Sequence, residues 1–280
     1  MNWWEMSLLF SARQDSQRHL LARWLPLLER RQLRFAIALA YLAVIALAEV
    51  VHTFVDLRLG LVLHGALLVV LLLHAALASE YPYHRLLLAL ALAPLIRMSS
   101  LAVPLLRFPQ LYWYLIISVP LFIGAGLTAR ALGLSREQLG LTIRKVPLQL
   151  LVALTGITFG IVEYNVLKLE PLIEEPTWES LMVGGAILMI CTGLSEELIF
   201  RGVIQRVSVQ ALGRFGLVFT AMLFATLHIG WGSPLDVVFV FGVALLFGWV
   251  TESSWSLLGV TLAHGITNIV LFLVMPFWAQ

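Results

Sequence analysis

Sixty per cent of the 280 residues are hydrophobic, only 12% are charged and the formal net charge is +2. With a mean hydropathy of +0.94, that is more apolar surface than a water-soluble core can absorb. The apolar runs reach the roughly 20 residues a helix needs to cross about 30 Å of hydrocarbon, and they lack the short alternating segments of an outer-membrane barrel. The expected fold is therefore all-α, a polytopic transmembrane helical bundle surrounded by lipid, with no nucleic-acid partner. The single cysteine, Cys191, lies in an apolar run and reads as packing, which excludes an intrachain disulfide and a cysteine-based metal or redox pair.

Residues 1–34 interleave Trp3, Trp4, Leu8, Leu9 and Phe10 with Arg13, Arg18, Arg23, Arg30, Arg31 and Arg34. That mixture fits a basic amphipathic segment lying in the membrane interface better than a cleavable signal peptide. Apolar spans are then predicted near 35–51, 61–78, 86–106, 111–132, 147–167, 181–209, 215–231, 235–250 and 256–277, giving eight or nine crossings. The third is weakened by Pro94, Arg97 and Pro104, and Trp231, Gly232, Ser233 and Pro234 mark a tight turn between two short spans.

Basic residues cluster before the first span, between the fourth and fifth (Arg130, Arg136, Arg144, Lys145), and after the acidic pair Glu196–Glu197 (Arg201, Arg206, Arg214). One alternating topology places all three clusters in the cytoplasm, so an integral multi-pass cell-membrane protein with a cytoplasmic N-terminus is expected. Glu170, Glu174, Glu175 and Glu179 then fall in an exterior loop. The chain divides functionally into the interfacial segment 1–34, transmembrane helices over 35–145 without a recognised motif, and a core over 146–280 that holds the polar constellation.

That constellation begins where a membrane helix should carry no charge, in Gly193-Leu194-Ser195-Glu196-Glu197-Leu198-Ile199-Phe200-Arg201. Each ionised side chain at mid-bilayer costs roughly 2.5–3.5 kcal/mol on insertion scales, so such groups need a partner or a task. Helical spacing lets Glu197 pair with Arg201, while Glu196, rotated about 100° away, keeps its carboxylate free. Two later spans contribute His228, four residues after Phe224, and His264, four residues before Asn268 on one helix face. Counted at 1.5 Å per residue, Glu196 lies ~20 Å from the end of a helix reaching Val209, His228 ~20 Å from a start near Phe215 and His264 ~15 Å from a start near Ser254, so the groups can meet near mid-membrane.

A desolvated carboxylate is basic enough to take a proton from water, with a histidine to orient that water, and an imidazole and an amide can donate hydrogen bonds to an oxyanion. Peptide hydrolysis uses such a set. A two-histidine, one-carboxylate metal shell of Glu196, His228 and His264, holding a divalent ion such as zinc, is the alternative. It would need ligands from three helices because His-Glu-x-x-His is absent, and the metal-free version is favoured. Asp15, Asp56 and Asp236 do not form an aspartyl protease motif, and Ser195 lacks the glycine that follows a rhomboid-type nucleophile, so it reads as a local helix hydrogen bonder.

These residues resemble the CPBP family of CAAX prenyl endopeptidases and bacteriocin-processing or immunity proteins, also called the abortive-infection membrane family. Its three motifs correspond to Glu196, Glu197 and Arg201, then Phe224 and His228, then His264 and Asn268, over about residues 147–275. The resemblance implies Glu196 and His228 as the water-activating pair, His264 and Asn268 as oxyanion donors, and Glu197, Arg201 and Phe224 as support. It further implies an intramembrane endopeptidase acting on a membrane-anchored peptide or protein, reached from the cytoplasmic side. A non-catalytic immunity or scaffold protein of the same family and a proton-coupled transporter are the competing functions.

Overall fold

The computed structural model describes residues 31–102 and 109–279, so the interfacial segment expected over 1–34 lies almost wholly outside the described residues. Those described fold as nine helices: α1 (Arg31–Phe54), α2 (Leu57–Leu77), α3 (His84–Leu90 and Leu92–Ala102), α4 (Gln110–Ala131), α5 (Val146–Leu167), α6 (Trp178–Leu212), α7 (Phe215–Trp231), α8 (Pro234–Ser254) and α9 (Leu258–Trp278). Seven are long and apolar enough to cross a membrane, α7 is a shorter apolar helix, and α3 is broken. The break follows from Pro94, whose ring clashes with the carbonyl four residues back at Leu90 and removes an amide donor, and the chain turns at Ala91.

Local chemistry sets the ends. Asp56 accepts from the amide of Leu59 to open α2, Thr177 from that of Ser180 to open α6, and Ser233 from that of Asp236, with Pro234 as the first residue, to open α8. Gly213 (φ 66°) and Gly232 (φ 70°) end α6 and α7 in conformations that a side chain disfavours.

The largest apolar cluster joins both halves of the chain, packing Ile45 of α1, Leu71 of α2 and Leu87 of α3 with Phe200 of α6, Phe219 of α7 and Ala244 of α8. Two smaller clusters fix α9, one around Tyr164, Leu188 and Leu271 and one around Val152, Phe247 and Val260. α9 lies between α5 and α6 on small residues. A Cβ at Gly156 would fall 2.3 Å from the carbonyl oxygen of Ala263, one at Gly160 2.6 Å from that of Thr267, and one at Gly193 2.9 Å from that of Thr261. Backbones this close gain dispersion energy that lipid cannot supply, which is how small residues drive helix association in membranes. Gln149 of α5 accepts from the amide of Gly259 at 2.7 Å and fixes the start of α9 along its neighbour.

One end of the bundle is tied by polar bonds. Arg206 Nε donates to the carbonyl of Gln138 (2.9 Å), its guanidinium lies 4.2 Å from the Trp255 ring, Lys145 donates to the carbonyl of Ser253 (2.7 Å) and Ser256 to that of Thr142 (2.6 Å). The basic loop between α4 and α5, the end of α6 and the α8–α9 turn therefore meet at the same end.

Candidate active site

α6 supplies the acidic motif from its middle. It runs from Trp178 to Leu212, so Glu196 stands sixteen residues, or about 24 Å at 1.5 Å per residue, from its C-terminal end. The helix is not regular there, because π-helical segments over Met189–Leu194 and Leu198–Ile204 flank the single α turn Ser195–Glu197. Such underwound turns collect at functional sites because they re-aim side chains without breaking the helix. Hydroxyls on the same stretch bond back onto the helix: Thr192 to the carbonyl of Leu188, and Ser195 to that of Cys191 at 2.6 Å. Ser195 is thus the helix hydrogen bonder expected of it, and Cys191 is buried packing.

Glu197 and Arg201 are fully buried and paired, Arg201 Nη1 donating to Glu197 Oε1 at 2.9 Å. The guanidinium also lies 4.5 Å from the centre of the Phe224 ring, which places Phe224 as a cation–π and packing partner between Arg201 and the histidines. Phe224 sits edge-on to Phe200 at 4.7 Å, 4.9 Å from the His228 ring and 6.0 Å from the His264 ring.

The sequence does not disclose the partner of His264. Its Nδ1 donates to Glu197 Oε1 at 2.8 Å, and its Nε2 lies 3.9 Å from Glu196 Oε2. Glu197 is thus shared by a guanidinium and an imidazole ring, an arrangement that fixes the ring and places a proton on its Nδ1. An α9 that starts at Leu258 rather than near Ser254 puts His264 about 9 Å along its helix instead of ~15 Å. The residue still reaches Glu197 because the glycine contacts draw α9 against α6. His228 occupies the last turn of α7, which tightens to a 3₁₀ helix over Leu227–Trp231, and its Nδ1 donates to the carbonyl of Phe224 at 3.0 Å. Asn268 Nδ2 donates to Thr192 Oγ1 at 2.8 Å, which orients the amide across the α6–α9 contact.

Glu196 receives no hydrogen bond from another described residue, and its side chain keeps 28% of its surface exposed. It opens into a cavity of about 250 Å³ whose walls include Glu196, His228, His264 and Asn268. Glu196 and His228 line the same cavity, and no hydrogen bond joins them. Two groups outside the sequence motifs share these walls. Glu163 of α5 is 7% exposed and also borders a smaller adjoining cavity of about 40 Å³, and Arg97 reaches in from α3. Glu163 falls on the face of α5 that carries Gly156 and Gly160 toward α9, a helical register visible in the sequence, whereas nothing in the local sequence points Arg97 at this site.

Among the described residues, no three His, Cys, Asp or Glu side chains are grouped so as to hold a metal ion. Glu196, His228 and His264 do not form such a group in this arrangement.

Residues 176–270 match the family model described as Rce1-like, type II CAAX prenyl endopeptidase Rce1-like. The match supports CPBP family membership. It covers about a third of the 280 residues, includes every motif residue from Glu196 to Asn268, and supports a CAAX-type intramembrane protease fold. The matched segment begins just before α6, later than the residue 147 expected from the motifs, so α1–α5 lie outside it. No curated protein and no solved structure matches the chain.

Proposed function

We propose that this protein is an intramembrane endopeptidase that hydrolyses a peptide bond of a membrane-anchored substrate, without a metal, through a water activated by Glu196 and His228. The observation that carries the reading is the convergence of Glu196, His228, His264 and Asn268, from three helices, on one cavity. Glu196 takes the proton as water adds to the peptide carbonyl, and His228 orients that water. Asn268, held by Thr192, offers a donor to the oxyanion. His264 offers a second donor through Nε2. Because its Nδ1 already donates to Glu197, it does so as the imidazolium, whose charge faces the Glu197 carboxylate and, once Glu196 has taken the proton, the oxyanion itself. Collapse of the tetrahedral intermediate releases the amine, which takes up the proton held at Glu196.

Orientation follows from the same end of the bundle that gathers Arg136, Arg144, Lys145 and Arg206, proposed here as cytoplasmic together with the N-terminus. The substrate would have a peptide segment that enters the cavity and a lipid or transmembrane anchor that stays in the bilayer.

The test is cleavage of a pool of membrane-anchored peptides by purified protein in detergent, wild type beside Glu196→Gln, each with and without chelator. Cleavage by wild type alone, unaffected by chelator, is the expected result. Retained cleavage by Glu196→Gln removes Glu196 from the mechanism, loss with chelator and rescue by zinc moves it to a metal, and no cleavage by either protein favours the immunity or scaffold reading.

A further inference from the structure

Outside the motifs, a second buried polar cluster joins the first three helices. Glu49 of α1 is wholly buried, Arg97 Nε of α3 donates to its Oε1 at 2.5 Å, and Nε2 of His64 on α2 lies 3.3 Å from the same oxygen. A carboxylate at that depth in a span needs a cation, and α3 supplies one across 48 residues of sequence. The guanidinium does not stop there. Its Nη2 donates to the main-chain carbonyl of Leu227, the residue immediately before His228. That carbonyl belongs to the turn where α7 tightens to a 3₁₀ helix, and carbonyls at such ends lack their α-helical partners. The fit is close, since a Cβ on Gly230 would lie 3.0 Å from Arg97 Nη2 and 3.5 Å from its Cζ.

We propose that Arg97, held by Glu49, is a positioning residue for His228, so that α1–α3, outside the matched family segment, set the geometry of the catalytic turn. The inference rests on the peptidase reading, in which His228 orients the attacking water. His228 is fixed from within its own helix by the Nδ1 bond to Phe224, but the turn that carries it is tied to the rest of the bundle through the Leu227 carbonyl. Release of that tie lets the turn relax, and displacement of a catalytic group by about 1 Å can cost up to about a hundredfold in rate. A role for Arg97 as a binding site for a substrate anion is the weaker reading, because Glu49 already balances its charge and the Leu227 carbonyl takes one of its donors.

The experiment uses the full-length protein in micelles and five variants, Arg97→Gln, Arg97→Lys, Glu49→Gln, the double Glu49→Gln with Arg97→Gln, and Gly230→Ala, with Arg206→Ala as a structural control and thermal unfolding recorded for each. The double variant removes both charges and Gly230→Ala removes none, so loss of folding in Arg97→Gln alone leaves the test intact. Two quantities are read: kcat and KM on a peptide that wild type cleaves, and the rate at which diethyl pyrocarbonate modifies His228, followed by mass spectrometry without substrate.

Expected are a fall in kcat of about tenfold or more with KM within about threefold, a double variant no worse than Arg97→Gln, little rescue by Arg97→Lys, and a modification rate altered about threefold or more in the Arg97 and Gly230 variants but not in Arg206→Ala. An unchanged kcat, a rise in KM alone or an unchanged modification rate in folded protein overturns the proposal. The modification rate decides the link between Arg97 and His228 even where wild type cleaves nothing and the peptidase reading fails.

Discussion

Glu197→Ala tests the central ion pair most directly. Glu197 and Arg201 are 0% and 1% exposed, and one carboxylate oxygen accepts from both Arg201 and His264. Two magnitudes compete. Polar contacts between membrane helices average only about 0.6 kcal/mol when the groups released find other partners, whereas an uncompensated buried charge costs about 3–5 kcal/mol. Arg201 decides between them. Its guanidinium also packs on the faces of Phe224 at 4.5 Å and Phe247 at 5.7 Å, which cannot accept its N–H groups as a carboxylate does. The larger figure applies, and Glu197→Ala is expected to destabilise the bundle by about 3–5 kcal/mol. In the double variant Glu197→Ala, Arg201→Met no charge is stranded, so its loss should be smaller than the sum of the singles by about 2–3 kcal/mol. Glu197→Gln, which keeps an acceptor, should lie nearer 1.5–3 kcal/mol, roughly the worth of a hydrogen bond to a charged group. Unfolding in mixed micelles titrated with SDS measures these three variants and the Arg201→Met single. A loss below about 1 kcal/mol for Glu197→Ala, or additive singles, would show that this α6 pair, with His264 of α9 on Glu197 and Phe224 of α7 on Arg201, is not what holds the three helices together.

Thr192→Val removes the acceptor that orients Asn268, and kcat should fall about tenfold while stability changes by only about 1 kcal/mol, read from steady-state cleavage and unfolding side by side. At Gly193, where a Cβ would meet the backbone of α9, alanine should cost about 1–3 kcal/mol and most activity. The matched control is Gly126→Ala on α4, where the new Cβ would meet no neighbouring element within 4 Å; it should be neutral or stabilising by up to about 1 kcal/mol. Arg206→Ala, which unties the α4–α5 loop from the α8–α9 turn, should lower stability by about 1–3 kcal/mol with kcat within twofold of wild type, because Arg206 does not line the cavity.

The parts legible in the sequence were those written in short-range periodicity. Four-residue spacings placed Glu197 with Arg201 and His264 with Asn268, and apolar run lengths located the spans to within a few residues. Spacing could not say which of two adjacent carboxylates would meet α9, because π-helical turns on both sides of Glu196 and Glu197 shift the faces that an α-helix would present. The late start of α9 escaped for a related reason: Trp255 takes a left-handed turn (φ 56°) whose need arises from the α4–α5 loop packed on it rather than from its own neighbours. Arg97 was visible only as a defect in the third span. Its partners lie 48 and 130 residues away, and no local pattern carries a contact over that distance.

The same long-range contacts bear on how the site divides its charges. Two cations, Arg201 and Arg97, approach the cavity, and each is bound by a carboxylate that is itself buried, Glu197 and Glu49. With both arginines paired, neither is free to neutralise Glu196, whose side chain retains its exposure to the cavity. Were Glu196 the proposed base, a salt bridge from either arginine would tie up the lone pair it uses to accept a proton from water. In the proposed mechanism the adjacent glutamates are therefore complementary: Glu197 pairs with Arg201 and His264 and leaves Glu196 without a hydrogen bond, as a base would need, and Glu49 holds Arg97 in the same way from the other half of the chain.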